Sequence, residues 1–291
     1  MAEFKNFLRR KYKPVPIYND PVHGYHAGPK DMKETKMSAK DFLEGHDNDH
    51  IHKTINGVHE YLTHNEDIDK HHKDHKAAMK KYTDWSNQLN HGLITSHKNN
   101  EQPFKLSEKK KNLLNIYGHG NLDYDHPEYN LHQEAVHDHD QFKEHKETTK
   151  NLDSLIDNSA ERRHHLYVYH GPGFHPGKEA AKHPEGKVVL PAYTSTTINP
   201  NTADNFAKTE HSGDVQKKHI LKIHVRPKHK GSYLGEHSSR NDEKEFLLPR
   251  KTVLKIHKKP TIHKGHPDDN SFQKTEYHVW HATAEGHEDE H

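Results

Sequence analysis

Two carboxylates separated by a single residue open the apolar run Asn241-Asp242-Glu243-Lys244-Glu245-Phe246-Leu247-Leu248-Pro249. In an extended strand, residues two apart project from one face, so Glu243 and Glu245 would lie side by side, where mutual repulsion disfavours ionising both. A purely structural strand has little reason to keep such an arrangement. Taken alone, a single Glu-x-Glu is more simply a solvated strand edge. A second segment, Pro191-Ala192-Tyr193-Thr194-Ser195-Thr196-Thr197-Ile198-Asn199-Pro200, is a run of hydroxyls ending at Asn-Pro. Strand alternation sets Ser195 and Thr197 on one side, Pro200 suits the first turn of a helix, and Ser195 could then hold a polar neighbour in place. In the third segment, Leu166-Tyr167-Val168-Tyr169-His170-Gly171-Pro172-Gly173, a strand runs into a glycine turn where backbone can approach a ligand closely.

The elements that must position these residues divide the chain by period. Residues 1–49 hold Pro14, Pro16, Pro21, Gly24, Gly28 and Pro29 with little apolar periodicity, and read as an extended N-terminal arm. Residues 50–160 carry helical spacing, with Ile51, Ile55, Val58 and Leu62 on one face and Leu152, Leu155 and Ile156 on another. A helix start is expected at Leu106-Ser107-Glu108, after Pro103. From 166 to 258 the period is two: Leu166–Tyr169, Val188–Leu190, Ile220–Val225 and Thr252–His257 are short β-branched or aromatic runs bounded by Gly and Pro. Leu221, Ile223 and Val225 share one face, so the repeated Leu-Lys-Ile-His reads as two one-sided strands of one sheet. Residues 259–291 are expected to form a polar tail, with Tyr277 and Trp280 docking it.

Composition bounds the rest. Only 29% of the 291 residues are hydrophobic, which predicts a lean core. Lys+Arg 44 against Asp+Glu 43 leaves net +1, so charge calls for neither nucleic acid nor an anionic membrane as partner. No apolar run approaches the roughly 20 residues that span a bilayer, and no apolar stretch follows the basic N-terminus, which predicts a soluble protein without a secretion signal. With no cysteine there is no disulfide, zinc thiolate site or thiol nucleophile, a composition suited to a reducing compartment. The 35 histidines, among them His71, His72, His75, His137, His139 and His145, could clamp zinc or nickel where two stand three or four apart. They are spread along nearly the whole chain, which favours a compositional habit on solvated faces, and no metal is expected.

In order and spacing, the three segments resemble the ADP-ribosyltransferases of the Arg, Ser-Thr-Ser, Glu-x-Glu clade, which includes clostridial actin-modifying toxins and phage enzymes of the Alt and Mod type. Ser195-Thr196-Thr197 matches the Ser-Thr-Ser element with one conservative change, and Glu243-Lys244-Glu245 with its trailing Phe-Leu-Leu-Pro matches Glu-x-Glu. Upstream, Lys81 to Asn90 looks like the family's early helix and Asn151 to Asp157 like the helix before the first strand. The resemblance implies an α+β fold, a split two-sheet core with a helical N-terminal part, forming one domain over 50–258. It implies NAD as substrate and mono-ADP-ribosylation of arginine on target proteins, with nicotinamide released. Glu245 would stabilise the oxocarbenium-like charge, Ser195 would orient Glu245, and Glu243 would align the guanidinium. His170, Gly171, Ser195, Thr196 and Glu245 would contact NAD, and Gly235 to Asp242 would meet the target. At one position the chain departs from the clade: His170 stands where the clade has an arginine before the glycine. The related diphtheria-toxin and poly-ADP-ribose polymerase clade has His-Gly there, but its other signature residues are not found downstream. An arginine fork would grip a diphosphate better than an imidazole with one N–H. NAD glycohydrolase, or a binding or virion protein that has lost catalysis, are the alternatives. The phage likeness points to host transcription or translation machinery as partner and to the host cytoplasm as location.

Overall fold

A computed structural model describes residues 17–20, 24–27, 73–119, 122, 125–159, 166–265 and 274–287. Ile51, Ile55, Val58, Leu62, His71 and His72 lie outside them. The chain forms two compact units, residues 72–155 and the remainder.

The first is helical, as its periodicity predicts. Helix α1 (Lys73–Asn99) buries Ala78, Met79, Tyr82, Leu89 and Leu93, and is interrupted at Trp85, whose φ of −128° and ψ of 18° lie outside helical values. Helix α2 (Glu108–Tyr117) starts at the expected Ser107, whose hydroxyl accepts the Lys110 N–H, and it ends at Gly118 with φ +66°. Helix α3 (Tyr129–Asp157) runs alongside α2, where Lys110 reaches both Glu134 and Asp138. Buried Leu152, Leu155 and Ile156 bear out the reading of its C-terminal face.

The second unit is built on a mixed sheet. Strands β1 (Ile17–Asp20) and β2 (Gly24–Ala27) pair as a hairpin within the segment read as an arm. The main sheet takes β3 (Leu166–His170), β4 (Lys187–Leu190), β5 (Thr194–Thr197), β6 (Lys208–Ser212), β7 (Val215–Val225), β8 (Ser232–Tyr233), β9 (Glu245–Leu248), β10 (Thr252–Ile256), β11 (Thr261–Lys264) and β12 (Lys274–His287). Two single-turn helices, α4 (Pro176–Ala180) and α5 (Pro200–Asp204), interrupt it. The strand order is β4-β10-β12-β7-β3-β5-β9-β8, with β6 on β7 and β11 on β12. The expected split survives as a seam: β3 and β5 pair at Tyr169↔Thr197 alone, whereas β3 pairs β7 over its full length.

Two expectations are corrected. Within the segment expected to be a tail, residues 274–287 are not one, because β12 runs parallel to β7 from Lys274↔Val215 to Ala284↔Val225 and antiparallel to β10, in the middle of the sheet. Nor is β7 one-sided. Leu221, Ile223 and Val225 enter the main core with Trp280, Ala282 and Ala284, while Ile220 packs on the other face with Tyr277, Val279 and Ala203. A strand covered on both faces has no polar side to show.

Candidate active site

The site gathers across the seam between β3 and β5, on short strands that the core holds rigid. Phe246, Leu247 and Leu248 are fully buried, so β9 is anchored and its first residue, Glu245, is fixed at the strand's end with only 5% of its surface exposed. β9 pairs with β5 in the register Thr197↔Glu245 and Ser195↔Leu247. The exposed Ser195 hydroxyl hydrogen-bonds the Glu245 side chain. Burial pushes the Glu245 carboxyl up to about 7. The Ser195 bond pulls the other way, and the nearby Glu243 charge adds to the rise. The group is thus poised to exchange its proton near neutrality.

Glu243 does not sit on the strand. It ends a 3₁₀ turn, Asn241–Glu243, and Lys244 between the two acids has φ +48°, so strict alternation fails at this point. The carboxylates are still brought into electrostatic reach of each other, by a kink instead of by the pleat. Thr197 fixes the kink: its hydroxyl donates to the Glu243 carbonyl at 2.6 Å and accepts the Asn199 N–H at 3.0 Å. The half-buried Glu243 carboxylate meets the Arg240 guanidinium at 3.3 Å.

Thr196 is the exception among the residues expected to contact a ligand. Its side chain points opposite to Ser195, is buried, and donates to the Phe246 carbonyl. It holds β5 to β9 and offers no hydroxyl outward.

His170 closes the seam from the other side. Its Nδ1–H donates to the Ser195 carbonyl at 2.8 Å, which fixes the tautomer, because a carbonyl can only accept. Burial holds the imidazole below its ordinary pKa, so the ring is neutral and its Nε2 is left as an acceptor. Gly171 follows, and a side chain there has no room: a Cβ would lie 2.4 Å from the Ala203 carbonyl oxygen, 2.5 Å from the Phe206 carbonyl carbon and 2.6 Å from the Ala207 nitrogen. The glycine is thus required by the chain's own backbone, whereas Gly173 has nothing within 4 Å.

Phe206 was missed at the sequence level. It follows α5, its backbone packs on Gly171, and its ring is 54% exposed, unusual for a phenylalanine beside so crowded a turn. The one signal for it was an aromatic residue among the polar neighbours Asp204, Asn205 and Lys208.

Among the described residues, two groups of side chains have the donor types a metal ion would use: His119 with His139 and Asp140, and His175 with Glu210 and His219. In the second, Nδ1 of His175 accepts the Lys178 N–H and Nδ1 of His219 accepts the Trp280 indole N–H. Each neutral ring therefore carries its proton on Nε2 and has no lone pair left for a cation. Burial, with His175 and His278 nearby, pushes His219 down to about 4 and keeps it neutral. His219 Nε2 lies 3.5 Å from Glu210, so this group is an acid facing an imidazole donor.

A family model described as ADP-ribosyltransferase exoenzyme matches residues 68–275. Among curated proteins nothing matches. Solved structures to which the chain is similar include Plx2a, an ADP-ribosyltransferase toxin from Paenibacillus larvae, at 12% identity over 79% of this chain and 96% of that one, with a TM-score of 0.46. The C3 exoenzyme of Clostridium limosum matches at 12% identity over 79% and 94%, with a TM-score of 0.47. The C3larvin toxin of Paenibacillus larvae matches at 18% identity over 78% and 93%, with a TM-score of 0.42.

Proposed function

This chain belongs to the ADP-ribosyltransferase exoenzyme family, and from that premise we propose that it transfers ADP-ribose from NAD to arginine side chains of target proteins, releasing nicotinamide. The observation that carries the reading is the pairing of a buried, Ser195-oriented Glu245 with a second carboxylate, Glu243, that already accepts a guanidinium N–H. Ionised Glu245 stabilises the positive charge that develops on the ribose as the bond to nicotinamide breaks. Its burial strengthens that interaction, since no water competes with it. Glu243, more exposed and one kink away, aligns the incoming guanidinium, for which a carboxylate is the natural partner. Phe206 supplies a flat apolar surface beside the glycine turn, suited to an aromatic ring of the donor. Targets are proteins with exposed arginines. Among the described residues no helix is long and apolar enough to cross a membrane.

Glu243→Gln tests the division of labour between the two acids. Expected is a loss of arginine transfer of tenfold or more, about 1.4 kcal/mol of transition-state stabilisation, with nicotinamide release largely retained because Glu245 is untouched. Equal loss of both activities would place Glu243 in the NAD site. Full retention of both would leave it a surface carboxylate.

His170 distinguishes two ways of holding the donor. A neutral ring with its N–H committed to Ser195 presents an acceptor, which suits a ribose hydroxyl and not a diphosphate. His170→Ala is expected to weaken NAD binding several-fold. His170→Arg is expected not to improve on the native residue, which revises the advantage that an arginine fork has on sequence grounds alone. Calorimetric titration of the three proteins with NAD decides it: tighter binding by the arginine variant would locate the diphosphate here, and unchanged binding by the alanine variant would remove His170 from the donor site. Thermal melts of the same proteins separate these outcomes from loosening of the seam.

A further inference from the structure

The backbone of Arg240 is fixed in a turn, although its side chain is 65% exposed. Its backbone N–H donates to the Ser238 hydroxyl at 3.1 Å, and its carbonyl accepts the Glu243 N–H at 3.0 Å. The turn so formed folds the side chain back, and Nη1 donates to Glu243 Oε1 at 3.3 Å. An exposed ion pair of this kind contributes about 0.2–1 kcal/mol, too little to lock the side chain, so stability does not account for it. What the turn does achieve is to deliver a guanidinium to the carboxylate assigned to receive one.

We propose that Arg240 is an intramolecular acceptor, an automodification site at which the enzyme ADP-ribosylates its own acceptor loop. The inference rests on the arginine-transferase reading above. A guanidinium nitrogen of Arg240 forms a bond to the anomeric carbon of the nicotinamide ribose. The bond from that carbon to the pyridinium nitrogen breaks, its electron pair neutralises the ring, and nicotinamide leaves. The guanidinium proton passes to a carboxylate of the pair and then to water. Tethering removes the entropy of bringing an acceptor to the site, so the reaction is first order in enzyme. The product carries a diphosphate beside Glu243 and Glu245, where like charge and bulk obstruct a second acceptor. Automodification is therefore also a brake on transfer to other acceptors.

The test uses the full chain, labelled NAD and no added acceptor. The modified residue is located by fragmentation mass spectrometry, with the other six arginines (Arg9, Arg10, Arg162, Arg163, Arg226 and Arg250) as internal comparisons. Expected is an adduct on Arg240, formed at a rate per enzyme that does not change on dilution. Preincubation with NAD should lower later transfer to free arginine, an effect that Arg240→Lys should remove. Transfer to free arginine without an adduct on Arg240 would overturn the inference and leave the arginine reading intact, as would labelling of Arg240 that slows on dilution. Nicotinamide release with no transfer to any arginine, free or internal, would overturn both.

Discussion

Glu245→Gln is expected to abolish nicotinamide release and transfer together, by a factor on the order of 10²–10³, as is typical when one charge-stabilising group is removed from a transition state. The amide keeps the shape and the contact with Ser195 but carries no charge. The wild-type enzyme should show the same dependence as a pH profile. With the carboxyl at about 7, activity rises as pH rises through that value, and near pH 5 only about one molecule in a hundred is ionised. Stability moves the other way. The Glu245 pKa is raised on folding above its ordinary 4.5, so the folded chain binds this proton more tightly than the unfolded one. The resulting stabilisation is complete below about 4.5 and is lost as pH rises towards 7. Glu245→Gln should therefore melt higher than wild type above pH 7, by a margin that approaches about 3 kcal/mol. Turnover near the wild-type rate in a folded variant would dismiss Glu245 as the catalytic carboxylate. Unchanged or lower stability at pH 8 to 9 would show that the carboxylate is better solvated than its burial implies.

Gly171→Ala is the second large effect, and it comes from space alone. The added Cβ would meet three backbone atoms of the 203–207 segment at 2.4 to 2.6 Å, and backbone cannot rotate out of the way as a side chain can. Either α5 and the Phe206 segment move off β3, or His170 and the glycine turn move outward. Overpacking of this kind costs roughly 1–3 kcal/mol. Both relaxations displace the residues proposed to hold NAD, so the NAD Michaelis constant should rise at least tenfold. Gly173→Ala, in open space, is the matched control and should do neither. Equal melting temperatures and Michaelis constants for the two variants would mean that the Gly171 turn yields cheaply and does not shape the donor site.

The site was more legible in the sequence than the sheet around it. The meeting of Ser195 with Glu245 was legible because side-chain type survives without any knowledge of geometry, and the structure brings these two side chains together. Thr196 was misplaced although the signal was available: adjacent strand residues face opposite ways, so a Ser195 that reaches the site sends Thr196 into the core. Glu243 was assigned to the strand because nothing in a lysine announces φ +48° at Lys244. Strand β12 was hidden more thoroughly. Its inward residues Ala282 and Ala284 are weak strand formers, and His278 and His281 blur the alternation. Only the partner strand β7 makes small residues suitable there, because two faces of the sheet are filled already by Leu221, Ile223 and Val225 on one side and Ile220 on the other.

The central place of β12 has a consequence for how the molecule is made. Its neighbours β7 and β10 are separated from each other by β12 alone, yet β12 is the last described strand in the chain. Before residues 274–287 are made, the slot between β7 and β10 is unfilled, and these two strands each present an unpaired edge. Parallel pairing of segments about 60 residues apart is among the slower contacts to form. The sheet consequently stays incomplete until residues 274–287 are made, and the seam of the candidate site, which hangs on β3 and hence on β7, gains its full support only once β12 has inserted.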